Sequence, residues 1–167
     1  IASKAKEGTP VIGICGGFQM LGNRIEDPQH TESENTSIDG LGLLDLVTTF
    51  EAVKATHQVK ARVAASEGLF RGLTGEILSG YEIHMGQTGD GDAVPAFEIT
   101  RRSGRETSKC DGAVGHEGKV FGTYLHGIFD NEGFRRSLLR NIKPDYQPTG
   151  MESEPPSKQE QYDKLAA

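Results

Sequence analysis

Cys15 stands among glycines in a pattern that could make it a nucleophile. The segment Gly-Ile-Cys-Gly-Gly occupies residues 13–17 and follows a short apolar run. Such a run predicts a buried strand, and glycines permit the sharp strand-to-helix turn of a nucleophile elbow. At the first turn of a helix, the dipole and the free N–H groups favour thiolate over thiol. The alternative is an ordinary buried cysteine without chemistry.

His126 is the candidate base for this thiol. It lies in the segment Gly-Thr-Tyr-Leu-His-Gly at residues 122–127, after a stretch in which apolar and polar residues alternate. This alternation predicts a strand that ends at the histidine. A cysteine and a histidine that are remote in sequence but adjacent in the fold are typical of thiolate catalysis. The alternative is a hydrogen-bonded histidine at a strand end.

Three segments carry a resemblance to a known family. Gly-Ile-Cys-Gly-Gly-Phe-Gln-Met-Leu-Gly at residues 13–22 resembles the nucleophile segment of class I (triad-type) glutamine amidotransferases. Gly-Tyr-Glu-Ile-His-Met-Gly at 80–86, and Thr-Tyr-Leu-His-Gly-Ile-Phe-Asp-Asn at 123–131, resemble the amidotransferase domains of cobyric acid synthases. The resemblance implies an α/β fold with a flavodoxin-like sheet flanked by helices.

The resemblance also implies roles for individual residues. Cys15 would be the nucleophile that attacks the amide carbon of glutamine, and the Gly16 N–H would stabilise the oxyanion. His126 would protonate the departing ammonia and then activate water. Most of the wider family has glutamate two residues after this histidine, whereas this chain has Ile128. We therefore expect a Cys-His dyad whose orienting partner is unknown, with Asp130 near in sequence.

Gln19, His84 and Gly86 are the substrate contacts that the resemblance implies. Gln19 follows the nucleophile by four residues, so that in a helix the two side chains lie on the same side. Without the resemblance, Gln19 would be a solvent-facing glutamine and His84 an ordinary strand residue.

As a member of this family, the chain would supply ammonia for ATP-dependent amidation of corrinoid carboxylates in cobalamin biosynthesis. We expect no cofactor in this chain, because ATP and Mg²⁺ would bind a synthetase domain outside it, which would also take the corrinoid acceptor. One alternative is a relative with another acceptor, such as cobyrinic acid a,c-diamide synthase or an enzyme that amidates peptidoglycan precursors. The other alternative is a non-enzymatic α/β module whose cysteine is structural or senses redox state.

Composition limits the remaining possibilities. The chain has 167 residues, a length that fits one domain. Its net charge of −6 argues weakly against nucleic acid or an anionic membrane as a partner. No apolar run approaches the ~20 residues of a membrane span. Two cysteines, one of them placed as a nucleophile, favour a reducing cytoplasm. The histidines and cysteines lack metal-ligand spacing, so we expect no metal site.

The sequence predicts an amidotransferase domain at residues 1–143 and a linker with the start of a helix at 144–167. Only about ten residues precede the nucleophile strand, which is not the first strand in this superfamily. We therefore expect an N-terminally truncated domain that lacks the loop with the second oxyanion donor and is inactive alone. A polar loop is predicted at 26–40. We expect strands at 11–15, 43–50, 58–63, 77–85, 96–100, 111–114 and 119–125, and helices at 17–25, 132–142 and 157–167.

Overall fold

The computed structural model describes residues 1–89 and 93–147, apart from the side chains at positions 52–54. The helices are α1 (Ala2–Lys6), α2 (Gly16–Leu21) and α3 (Glu132–Ile142). The strands are β1 (Val11–Ile14), β2 (Arg24–Glu26), β3 (Ser37–Asp39), β4 (Val47–Val63), β5 (Ile77–Thr88), β6 (Phe97–Arg102), β7 (Arg105–Asp111), β8 (Ala113–Gly115), β9 (Val120–Thr123) and β10 (Leu125–His126). Short 3₁₀ turns lie at Gly68–Phe70, His116–Gly118 and Ile128–Asp130.

The strands form two sheets, which we call the small and the large sheet. The small sheet has the order β1-β9-β8, with β1 parallel and β8 antiparallel to β9. The antiparallel pair β8 and β9 forms a hairpin around the turn at His116–Gly118. The large sheet has the order β10-β5-β4-β2-β3, and β6 pairs with both β4 and β7. Its pairs are antiparallel except for β2 with β4.

The main core fills the space between the two sheets. Phe70, Phe97, Phe121 and Phe134 have no exposed surface and meet mostly edge to face, with the Phe70 and Phe121 rings 4.8 Å apart. Alternation along β9 sends Phe121 into this core and its neighbour Val120 into a second cluster beside α2. The small sheet is therefore covered on both faces, as strands with continuous apolar runs require.

The expected α/β class is confirmed, and α3 has the predicted bounds. The helix predicted at 17–25 ends at Leu21, because the chain becomes extended at Gly22 and joins the large sheet as β2. The strand predicted at 43–50 begins only at Val47, since the preceding residues form bends that bury their leucines. The predicted polar loop at 26–40 contains β3.

Two predicted strands are each divided between the sheets. The strand expected at 111–114 is interrupted at Gly112, where β7 of the large sheet gives way to β8 of the small one. The strand expected at 119–125 is interrupted at Tyr124, between β9 and β10. The predicted linker beyond residue 147 and the predicted helix at 157–167 lie outside the described residues. Among the described residues, no helix is long and apolar enough to cross a membrane.

Glycines let α2 lie directly on the small sheet. A Cβ on Gly13 of β1 would lie 2.7 Å from the carbonyl carbon of Gly17 in α2, and one on Gly122 of β9 would lie 2.1 Å from the Phe18 ring. Both distances are far below van der Waals contact. The close approach sets where α2 begins, and hence where the residue before it is held.

A buried ion cluster joins β5, β6 and β7 of the large sheet. Glu82 is 1% exposed and accepts hydrogen bonds from Arg102 Nε and Nη2, each at 2.7 Å. His84 Nε2 lies 3.0 Å from the same carboxylate, and Lys109 Nζ lies 3.7 Å from it. Burial alone would raise the pKa of Glu82, but the hydrogen bonds from His84 and Arg102 and the nearby positive charges outweigh it and lower the pKa to about 2.

We expect Gly13→Ala to lower the free energy of unfolding by about 2 kcal/mol, because the added methyl meets backbone atoms that cannot move aside. Gly17→Ala is the matched control, since a Cβ at that helical position has no atom within 4 Å and alanine favours helix. Urea unfolding measures both. Equal stabilities of the two variants would contradict the packing argument.

We expect Glu82→Gln to lower the free energy of unfolding at pH 7 by about 3 kcal/mol, because it removes the buried carboxylate that the partly buried Arg102 is paired with. The folded pKa lies below the ordinary value of 4.5, so the stabilisation by Glu82 is present above pH 4.5 and is lost as the pH falls towards 2. The variant should therefore lose less stability than the wild type over that interval.

Glu98→Gln removes the carboxylate of an exposed ion pair with Arg62 and is the control for this measurement. We expect a small effect, because solvent screens exposed pairs. Urea unfolding at several pH values compares the variants. A Glu82→Gln protein as stable as Glu98→Gln would show that the buried cluster does not hold the large sheet together.

Candidate active site

Cys15 occupies the turn between β1 and α2. It is the residue that caps the start of the helix, with φ 54° and ψ −116°. Its amide donates to the carbonyl of Thr123 at 2.9 Å, which continues the pairing of β1 with β9 by one residue. The strand-turn-helix arrangement expected from the sequence is observed, but the positive φ falls on the cysteine itself rather than on the adjacent glycines. A non-glycine residue in such a conformation costs of order 1–3 kcal/mol and is typical of functional sites.

The thiol of Cys15 is partly exposed and points towards β5. Its Sγ lies 3.4 Å from the carbonyl oxygen of Ile83, to which the thiol can donate a weak hydrogen bond. Gly16 and Gly17, which follow, are both exposed. The first turn of α2 is therefore open to solvent.

His126 reaches the same part of β5 from the large sheet. It pairs with Tyr81, two residues before Ile83. Within the described residues, its Nε2 is buried and has no hydrogen-bond partner. Buried polar atoms without partners are rare in folded proteins and call for a functional explanation. The fold thus brings both catalytic candidates to the Tyr81–Ile83 stretch, although their strands belong to different sheets.

Gln19 lies one turn beyond Cys15, as expected, but its side chain is 6% exposed. Its Nε2 donates to the carbonyl of Met85 at 3.1 Å and to the hydroxyl of Tyr124 at 3.3 Å. The amide therefore fixes α2 against the large sheet. Its oxygen faces the start of the helix, 4.0 Å from the position that a Cβ on Gly16 would occupy.

His84 lies on the face of the large sheet opposite to that of Tyr81, the residue that pairs with His126. Gly86 lies in a bulge of the same sheet. Along β5, His84 alternates with the residues that face His126, and its Nδ1 donates to the Gly86 carbonyl at 2.8 Å. Gly86 has φ +89° where the pairing of β4 with β5 shifts register, and a Cβ there would lie 2.5 Å from the Thr49 carbonyl oxygen. Both residues have a structural reason for their identity.

Tyr124 links the helix to the polar face of the large sheet. Its ring stacks on His84 with centroids 4.1 Å apart and meets Phe18 edge to face at 5.1 Å. Its hydroxyl bonds to Thr88 Oγ1 at 2.6 Å. Burial raises the pKa of Tyr124, so its hydroxyl remains a neutral donor. Sequence analysis did not assign this residue a function, because its partners lie on α2 and β5, which are remote from it in the chain.

A cavity of about 440 Å³ lies beside Tyr124, on the face that carries the ion cluster. Polar and charged side chains on its wall include Glu82, His84, Gln87, Thr88, Lys109 and Asp111. Neither Cys15 nor His126 lines it. The cavity and the cysteine are therefore separate features, with Phe18 and Tyr124 on the cavity wall between α2 and the large sheet.

Asp111 is a second residue that sequence analysis did not single out as functional. It is 7% exposed, and its Oδ2 accepts a short hydrogen bond from the Thr123 hydroxyl. Burial first, and then the negative charge of Glu82, raise the pKa of Asp111 to about 6. In the part of the chain that the structure describes, no three His, Cys, Asp or Glu side chains are grouped so that they could hold a metal ion.

Comparison with known proteins gives this geometry a family. Residues 1–134 match the family described as CobB/CobQ-like glutamine amidotransferase domain. The chain is 48% identical over 166 residues to the cobyric acid synthase of Dehalococcoides mccartyi strain BAV1, and 43% identical over 169 residues to that of Desulforamulus reducens. Each alignment covers 99% of this chain and 33% of the relative, so this chain spans about a third of the relatives' length.

A solved structure supports the fold independently. The PurLQS structure from Thermotoga maritima superimposes with a TM-score of 0.60 over 85% of this chain and 66% of that chain, at 20% sequence identity. At this identity the likeness concerns the fold alone. Together with the family match over residues 1–134, these findings lead to one conclusion: the chain belongs to the CobB/CobQ-like glutamine amidotransferase domains and is homologous to that part of cobyric acid synthase.

Proposed function

We propose that this chain, within the complete protein, hydrolyses glutamine by covalent catalysis at Cys15 and delivers the ammonia to an amidation reaction. The observation that carries the proposal is the strained backbone of Cys15 at the start of α2. A turn of this kind exposes the sulfur beside N–H groups that have no partner within the helix.

In the proposed reaction, the Cys15 thiolate attacks the side-chain amide carbon of glutamine, forming a C–S bond and a tetrahedral oxyanion. Collapse of this intermediate breaks the C–N bond, and His126 gives its proton to the departing ammonia. The product is a glutamyl thioester. His126 then takes a proton from water, and the hydroxide forms a C–O bond to the thioester carbon. The C–S bond breaks, glutamate leaves, and the Cys15 sulfur takes the proton back from His126. The balance is glutamine and water to glutamate and ammonia.

The Gly16 N–H is the proposed oxyanion donor. It is the first helical residue after the nucleophile, it is exposed, and its amide precedes the intrahelical hydrogen bonds. One such donor contributes roughly 10²–10³ in rate. This role follows from the position of the amide relative to Cys15, since the oxyanion forms on the carbon bound to the sulfur.

His126 is the proposed acid and base because its Nε2 is buried without a partner among the described residues. A base that accepts a proton during the reaction must keep a nitrogen free for it. Gln19 remains a proposed substrate contact, through the amide oxygen that faces the start of α2. For His84 and Gly86, the contacts described above favour support of β5 beside the pocket over direct contact with glutamine.

For the whole protein, we propose ATP-dependent amidation of corrinoid carboxylates in the cytoplasm. The names and the length of the relatives support this proposal. ATP and Mg²⁺ would bind outside this chain, in a synthetase domain that also holds the corrinoid. An assay of the complete protein with cobyrinic acid a,c-diamide and with other carboxylate acceptors tests the choice of acceptor.

We expect Cys15→Ser to abolish glutamine-dependent amidation while sparing amidation driven by free ammonia, because the nucleophile acts only in releasing ammonia. The protein should be expressed from its complete reading frame, and amide formation should be measured with each nitrogen source. Cys110→Ser is the matched control, since that thiol is exposed and belongs to β7. Loss of both activities in Cys15→Ser would mean that the cysteine is structural.

We expect His126→Ala to slow formation of the thioester more than it weakens glutamine binding, by roughly 10²–10⁴ in rate. Rapid mixing with labelled glutamine, followed by acid quenching, measures the covalent intermediate, and its dependence on glutamine concentration gives the affinity. A variant that forms thioester at the wild-type rate would remove His126 from the mechanism. Equal reaction of wild-type Cys15 with glutamine-shaped and unrelated electrophiles would favour a redox sensor instead.

A further inference from the structure

The polypeptide passes between the two sheets twice at one place. β7 of the large sheet leads through Gly112 into β8 of the small sheet, and β9 of the small sheet leads through Tyr124 into β10 of the large one. The two passages are in contact, because a Cβ on Gly112 would lie 2.3 Å from the Gly122 carbonyl oxygen and 3.2 Å from Thr123 Cβ. The passage through Tyr124 leads directly to His126, and the passage through Gly112 lies beside the passage through Tyr124.

Thr123 holds both catalytic candidates through different atoms. Its carbonyl accepts the Cys15 amide at 2.9 Å. Its hydroxyl accepts the amide of Leu125 at 3.0 Å, which closes the turn that directs the chain to His126. The hydroxyl has one hydrogen, and with it donates a hydrogen bond to Asp111. Thr123 has no exposed surface, so water cannot replace these bonds.

We propose that Asp111 is a positioning residue for catalysis, acting through the Thr123 hydroxyl to fix His126 relative to Cys15. The inference rests on the proposed function, because it assumes that these two side chains carry the reaction. Asp111 orients the hydroxyl by accepting its hydrogen bond, so that the oxygen lone pairs face the Leu125 amide. It also ties the end of β7 to the end of β9, where the two passages meet.

The surroundings of Asp111 support a functional reason for the carboxyl. Glu82 and His84 face it from β5, Lys109 precedes it on β7, and the Tyr124 amide is a further hydrogen-bond donor. With a folded pKa near 6, above the ordinary 3.8, the native state binds more protons than the unfolded chain between these values. Stability is therefore lost as the pH rises through about 6. A carboxyl that destabilises the fold at neutral pH is expected where activity requires it.

The test uses the protein expressed from its complete reading frame and measures kcat and KM for glutamine hydrolysis. Thr123→Val removes the hydroxyl and keeps the shape, whereas Thr123→Ser keeps the hydroxyl. We expect Thr123→Val to lower kcat by roughly 10- to 100-fold with little change in KM, because small displacements of catalytic groups slow the chemical step. We expect Thr123→Ser to restore most of the rate. Thr74→Val is the control, because it removes a hydroxyl that donates to the Ala65 carbonyl and is hydrogen-bonded to neither Cys15 nor His126.

Asp111→Asn provides a second measurement that does not depend on the folding of Thr123→Val. The amide oxygen can still accept from Thr123, but it lacks the charge that strengthens the bond. We expect a lower kcat together with an equal or higher urea midpoint at pH 8. A merely structural role would move both quantities downward.

The outcomes separate this inference from the proposed function. Wild-type protein without glutaminase activity, or Cys15→Ser with full activity, would overturn the proposed function itself. A Cys15-dependent enzyme in which Thr123→Val and Asp111→Asn both keep the wild-type kcat would overturn only the positioning role. Equal losses in Thr123→Val and Thr123→Ser, or a raised KM with unchanged kcat, would also overturn it.

Discussion

The structure depends on how closely α2 approaches the small sheet. Glycines at positions 13 and 122 remove the side chains that would hold the helix away. The helix therefore begins directly after β1, and the connecting residue must turn within a single peptide unit. That residue is Cys15, at φ 54°. The packing of Phe18 and Leu21 in the second core offsets strain of order 1–3 kcal/mol at Cys15.

The second constraint is that the two catalytic candidates lie on different sheets. Cys15 follows a strand of the small sheet, whereas His126 ends a strand of the large one. Two strands that stayed in their own sheets would carry the residues apart. The passage at Tyr124 solves this by moving the chain from β9 to β10, so that His126 pairs with Tyr81 while Cys15 Sγ lies beside Ile83. The geometry of the site is thus a consequence of one local change of sheet.

Charges on the inner face of the large sheet are arranged to compensate each other. Glu82 has hydrogen-bonded and cationic neighbours that lower its pKa, whereas burial and the negative charge of Glu82 raise the pKa of the nearby Asp111. The two carboxyls therefore affect the stability of the fold in opposite ways. The contribution of Glu82 is lost as the pH falls, and that of Asp111 is lost as the pH rises. The Tyr124 hydroxyl is hydrogen-bonded to Thr88 of this face and to Gln19 of α2. It therefore joins the polar face of the large sheet to the helix that follows Cys15.

The sequence by itself determined the local parts of this protein. Glycine spacing around Cys15 predicted the strand-to-helix turn, apolar periodicity predicted α3 with its observed bounds, and motif resemblance predicted the family. These features depend on residues near one another in the chain. Only the tertiary structure decided that the strands predicted at 111–114 and 119–125 divide between two sheets, and that Asp111 bonds to Thr123. A strand pattern with a period of two residues specifies which face is buried but not which strand lies alongside, because pairing is settled by contacts between distant segments.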